Sequence, residues 1–140
     1  MTESVTTLFE QALEQYQSGE KAENLLPLFQ EICDRAPKNA AAWSCLAWLY
    51  LLTDQENKAL RAAQKSVKLD GKAPQARINL ALAILETGQK GVRQHIEVAQ
   101  QIMALDEQIR SDIEENIEDG LTRKPDWDSL KRIKSWLVGA

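Results

Sequence analysis

The side chains able to take part in chemistry are few and scattered along this chain. His95 is its single histidine, and no cysteine or second histidine stands at ligand spacing from it, so no zinc site is predicted. Glu114 and Glu115, like Asp126 and Asp128, are paired carboxylates with no partner base or pocket signature, and a solvated surface accounts for them. No glycine-rich phosphate loop occurs. Cys33 and Cys45 sit among apolar neighbours in a helical pattern and read as small buried hydrophobes. Their number suits a reducing compartment. A disulfide between them would need close Cα atoms, which spacing alone does not establish. The pattern predicts neither an enzyme nor a cofactor.

One charged pattern is regular. Lys58, Arg61, Lys65, Lys68 and Lys72 fall on one face of a predicted helix. A solvated outer face is the simpler reading. The functional reading is docking of an acidic partner or an anionic membrane surface. The acidic segment from Asp112 to Asp119 could also pair with this stripe in a neighbouring molecule. The net charge of −4 argues against general nucleic-acid binding, which needs a basic footprint. The longest apolar run, Ala40 to Leu52, is interrupted by Ser44 and Cys45 and is too short to span a bilayer. No basic segment followed by an apolar one opens the chain, so no signal peptide and a cytoplasmic location are expected.

The elements that position these residues are helical. Only four prolines and six glycines interrupt 140 residues, enough for one domain with one core. Apolar positions recur at helical spacing over Val5–Gln17, Ala22–Arg35, Ala40–Leu52, Glu56–Leu69, Gln75–Glu86 and Val92–Leu105. Ser18-Gly19, the segment Ala36 to Asn39, Thr53 to Gln55, Asp70 to Pro74 and Thr87-Gly88 read as turns. The tail differs in character. Asp106 to Asp119 is acidic, with Ile109, Ile113 and Ile117 four apart; Gly120 to Pro125 reads as a break; Asp126 to Val138 carries Trp127, Leu130, Ile133 and Leu137 on one stripe, with Asp126 as expected N-cap.

Two stretches repeat one spacing. Trp43, Leu46, Ala47, Tyr50 and Ala59 advance by about 34 residues onto Arg77, Leu80, Ala81, Ile84 and Arg93. Leu46 and Tyr50 share a helix face, and the small Ala47 and Ala59 mark a close helix approach. The segment Trp43 to Gly71 resembles the tetratricopeptide repeat, W-x2-L-G-x2-Y followed by a small residue and a closing L-x-P. A first unit matches through Phe9, Ala12-Leu13, Tyr16 and Pro37. A third departs at its second helix, where the two possible registers put Arg93 or His95 at the usual alanine and imply an insertion near Gln89-Lys90-Gly91. The resemblance covers about residues 5–106. It implies an all-α helical-hairpin solenoid of about three repeats, with residues 107–140 as C-terminal capping helices of a single domain.

That resemblance also implies a binding role. First helices of each repeat line a concave groove, which carries over to Ser44, Trp48, Leu51 and Leu52 in the second unit and Ile78, Asn79, Leu82, Leu85 and Glu86 in the third. The first unit contributes Glu10, Gln11, Glu14 and Gln17. Trp48 is either a groove anchor or a residue packed beneath the C-terminal helix. Only Asn79 fits the family's clamp for a C-terminal carboxylate, so that ligand mode is not expected. The predicted function is a protein–protein scaffold or adaptor that takes an apolar peptide or helix in the groove. A dedicated chaperone or assembly factor and a self-associating module, working as a homodimer through Trp48 and Trp136, are the alternatives. No metal or other cofactor is expected.

Overall fold

The computed structural model describes residues 4–139; residues 1–3 and 140, the ends of the expected single domain, lie outside the described set. Among the described residues there are eight helices and no strand: α1 (Val5–Gln17), α2 (Ala22–Arg35), α3 (Ala40–Leu52), α4 (Glu56–Leu69), α5 (Pro74–Thr87), α6 (Val92–Leu105), α7 (Glu107–Arg123) and α8 (Asp128–Val138). Local chemistry sets the ends. Ser4 and Asn39 accept hydrogen bonds from Thr7 N and Ala42 N, so α1 and α3 begin with side-chain caps. Asp106 caps α7 by accepting from both Gln108 N and Ile109 N. Pro74 starts α5, where its missing N–H is not needed. Gly88 closes α5 in the left-handed conformation and Gly91 precedes α6 with φ of 101°, which fits the expected insertion between them.

Six helices form three antiparallel hairpins. Consecutive helices pack from α1 to α6, and α3 also packs along α5, while no comparable packing joins α2 to α4 or α4 to α6. Odd-numbered helices therefore line the inner face and even-numbered helices splay on the outer one. The middle hairpin is tight because Ala47, Ala59 and Ala63 are fully buried at its seam, with Ser66 Oγ donating to Ala40 O at 2.8 Å. Helix α3 is buried nearly all round: Leu46, Leu49, Tyr50 and Leu51 all lie in the core. In the first hairpin Phe9 meets Phe29 edge to face, ring centroids 6.1 Å apart.

The tail differs from its sequence expectation at two points. Gly120 does not break a helix; it lies inside α7, which runs on to Arg123. Asp126 does not cap α8; the cap position is Trp127, without a side-chain hydrogen bond. Both differences have one cause. Trp127 is 2 % exposed and is held by contacts to the solenoid, so tertiary packing sets where the turn falls.

Candidate functional site

The inner face is the site the groove residues define, and α7 runs across it. Going along α7, Asn116 donates to Gln75 of α5 (3.1 Å), Gly120 lies against the Trp48 indole of α3, and Asp119 accepts from the Tyr16 hydroxyl of α1. Trp48 Nε1 donates in turn to the Tyr16 hydroxyl oxygen at 2.7 Å. Arg123 donates to the carbonyls of Tyr16 and Glu20, each at 2.8 Å, and its guanidinium sits 4.0 Å from the Tyr16 ring centroid. Lys124 Nζ reaches the carbonyl of Leu51 (3.1 Å) and the carboxylate of Asp54 (2.6 Å). Burial, with Asp119 adding to it, pushes the Tyr16 hydroxyl well above the ordinary phenol range.

Helix α8 packs on α5 and α6 beside it. Trp127 packs on Trp48 with centroids 5.3 Å apart, and its Nε1 donates to Glu86 at 2.8 Å. Leu130 and Ile133 are fully buried.

The expected groove residues are therefore brought together, but beneath the tail. Ser44 and Trp48 are 8 % exposed, Leu51 1 %, and Ile78, Asn79 and Leu82 are fully buried. Leu52, Leu85 and Glu86 keep partial exposure at its margin. The Asn79 amide is spent inside the fold: Nδ2 donates to Ser44 O (2.9 Å) and Ser44 Oγ (3.0 Å), while its oxygen accepts from Gln75. Lys58, Arg61, Lys65 and Lys68 are exposed on α4, whereas Lys72, expected on the same helix face, is exposed in the turn that follows because α4 ends at Leu69.

One part of the inner face stays open. Between α1, α3, α5 and the edge of α7 is a cavity of about 190 Å³. Its walls are Leu13, Phe29, Trp48 and Leu49; Ser44, Cys45, Asn79 and Tyr16 lie among them, with Gln17, Gln75 and Asn116 at the margin. The Cys45 thiol, raised to about 12 by burial, stays protonated there. Of the α1 residues expected in the groove, Gln17 edges the cavity while Glu10, Gln11 and Glu14 are exposed and do not line it; Leu13 and Tyr16 of α1 and Asn116 of α7 were not foreseen there, because no spacing rule links positions a hundred residues apart.

His95 and its neighbours do not form a metal site. Arg77, in the position of the repeat's tryptophan, donates to His95 Nδ1 at 2.9 Å and to Gly71 O at 2.8 Å. Burial, then the Arg77 charge, holds the imidazole below its usual range. No group of three or more metal-ligating side chains occurs among the described residues. None of the described helices is long and apolar enough to cross a membrane.

Residues 28–61, from the second half of α2 through α3 into α4, match the tetratricopeptide repeat model. That segment is similar to a tetratricopeptide repeat. The match centres on α3, where Trp43, Leu46, Ala47 and Tyr50 carry the motif, and the hairpins on either side extend the repeat into a helical-hairpin solenoid with C-terminal capping helices. No curated protein matches this chain. Among solved structures it is similar to the type III secretion translocator chaperone SycD of Yersinia enterocolitica (alternative dimer), with a TM-score of 0.68 and 21 % identity, over 96 % of this chain and 94 % of that one. At that identity the likeness is one of fold.

Proposed function

We propose that this chain is a recognition module that receives an apolar side chain of a partner segment in the inner-face cavity beside α7. The observation carrying this reading is the cavity itself: it is bounded mainly by apolar side chains, yet edged by the accessible amides of Gln75 and Asn116, whose remaining donors and acceptors can bond a peptide backbone. Its 190 Å³ matches one leucyl or aromatic side chain better than a whole helix. The tail supplies the rest of the surface, so the partner reads a composite of α1, α3, α5 and α7. Tetratricopeptide repeats serve as protein-interaction scaffolds, and the like-shaped Yersinia protein is a chaperone; a chaperone or assembly factor for one partner would use this cavity in the same way.

The test uses fluorescein-labelled 15-residue peptides with uncharged flanks and a single central Leu, Phe or Trp. Asn116 is exposed at the cavity edge, so Asn116→Trp plugs it without touching the core. At least one peptide should bind the native protein, and binding should fall about tenfold or more in the plugged variant, the loss of a hot-spot contact. A panel without a binder, or binding indifferent to Asn116→Trp, would remove the cavity from consideration. Light scattering of the same samples separates a monomeric module from a self-associating one.

A further inference from the structure

We infer that the outer face of the middle repeat is a second docking surface, which takes an acidic peptide segment bearing an aromatic or branched apolar side chain. Three observations carry this. First, Lys58, Arg61, Lys65 and Lys68 recur at three- and four-residue spacing, a cationic row about 15 Å long on one face of α4. Second, among the described residues none of them has a carboxylate within 4.0 Å, although the chain carries 21 acidic residues and forms five ion pairs elsewhere. A row of cations without carboxylate partners on a chain of net charge −4 is complementary to an acidic ligand.

Third, the row borders a cleft and not a flat wet surface. Because α2 and α4 do not pack closely on each other, a shallow cleft lies over α3; half-buried Trp43 and the edges of the largely buried Leu46 and Tyr50 form its apolar floor beside Lys58, Arg61 and Lys65. The floor is fixed. Trp43 Nε1 donates to Pro37 O at 2.9 Å, and the Tyr50 hydroxyl accepts from Gln30 of α2 at 2.9 Å. Lys58 Nζ already sits 5.9 Å from the Tyr50 ring centroid. Floor and rim therefore ask for different groups on one ligand: an apolar side chain for the cleft and carboxylates for the row. An anionic lipid surface would meet the row but leave the floor empty, which favours a peptide.

The probe is a fluorescein-labelled nonapeptide of Asp and Glu with one central Phe, followed by anisotropy at 50 and 300 mM NaCl. The native protein should bind it, more weakly at high salt. The variant Lys58→Gln/Arg61→Gln/Lys65→Gln should bind about tenfold more weakly, since each exposed pair contributes a fraction of a kcal/mol. The same side chains are exposed, so the variant should keep the native circular-dichroism spectrum and melting point. Replacing the peptide's Phe by Ala should also weaken binding severalfold. Equal affinity of the triple variant, or of the Phe-free peptide, overturns the inference. So does displacement of the peptide by vesicles with 30 % phosphatidylserine that bind regardless of a Phe, which would make the row a membrane contact. Binding of the uncharged cavity peptides should not respond to the triple variant, so this surface and the inner cavity fail or stand separately.

Discussion

Adding a single methyl group at Gly120 tests how closely the tail is fitted to the repeats. A Cβ there would lie 2.8 Å from Trp48 Cζ2, 3.0 Å from Trp48 Cη2 and 2.8 Å from Leu130 Cδ2. Carbon atoms prefer about 3.5–4 Å, so the indole or α7 must shift by more than half an ångström. The indole has little room to move: Nε1 is bonded to Tyr16 at 2.7 Å and its ring rests on Trp127. Overpacking of this kind costs about 1–3 kcal/mol. Opposing it, Gly→Ala inside a helix gains about 1 kcal/mol. The net expectation for Gly120→Ala is a loss of about 0–2 kcal/mol, up to a few degrees in melting temperature for a domain this size. Urea unfolding followed by tryptophan fluorescence reads it directly, because Trp48 and Trp127 both report on the contact. Ser111→Ala, exposed on the same helix, serves as control and should gain only a few tenths of a kcal/mol. If Gly120→Ala is instead more stable than the native protein, propensity alone is acting and α7 does not approach Trp48 as described.

Other perturbations address the same interface. Arg123→Ala removes two bonds to carbonyls and the cation on Tyr16, and should cost about 2–3 kcal/mol; hydrogen exchange should quicken in α7 while α3 and α5 stay protected. Trp48→Ala should destabilise by about 3–5 kcal/mol, as truncation of a buried tryptophan does, so a loss of binding in that variant would need a melting curve beside it. The depressed His95 imidazole means that the unfolded chain binds the extra proton more readily, so stability should decline as pH falls through about 6.5, and His95→Gln should flatten that slope in pH-dependent melts. The raised Tyr16 hydroxyl acts at the other end: its contribution is intact below pH 10 and lost above it, and Tyr16→Phe should reduce the alkaline loss. Both thiols are raised to about 12, so maleimide at pH 7 should react slowly in the native protein; Cys45, at the cavity, should precede the buried Cys33, and a bound cavity peptide should protect it.

The repeats were legible because their information is local. The bounds of α1 to α4 and α6 follow from apolar spacing and turn residues alone, and the Trp43 to Tyr50 motif shows its resemblance to a tetratricopeptide repeat before any contact is known. Small residues at Ala47 and Ala59 likewise announce a close helix seam, and both are fully buried. Which surface the tail would cover was not legible. Trp48 on an inner face reads equally as an anchor or as core, and only the position of Gly120, Trp127 and Leu130 against it settles its environment.

The sequence by itself thus determined an all-helical chain, its hairpin periodicity and an amphipathic tail, since these depend on interactions within a few turns of helix. The tertiary structure decided what those elements do to one another. It turned Gly120 from an apparent break into a point of close approach and tied Asp119 and Arg123 to Tyr16 about a hundred positions earlier. It also buried most of the expected groove, leaving one cavity open on the inner face and a cationic cleft on the outer one. No local rule could reach these outcomes, because they depend on which distant surfaces fit when the solenoid curves and the chain folds back across it.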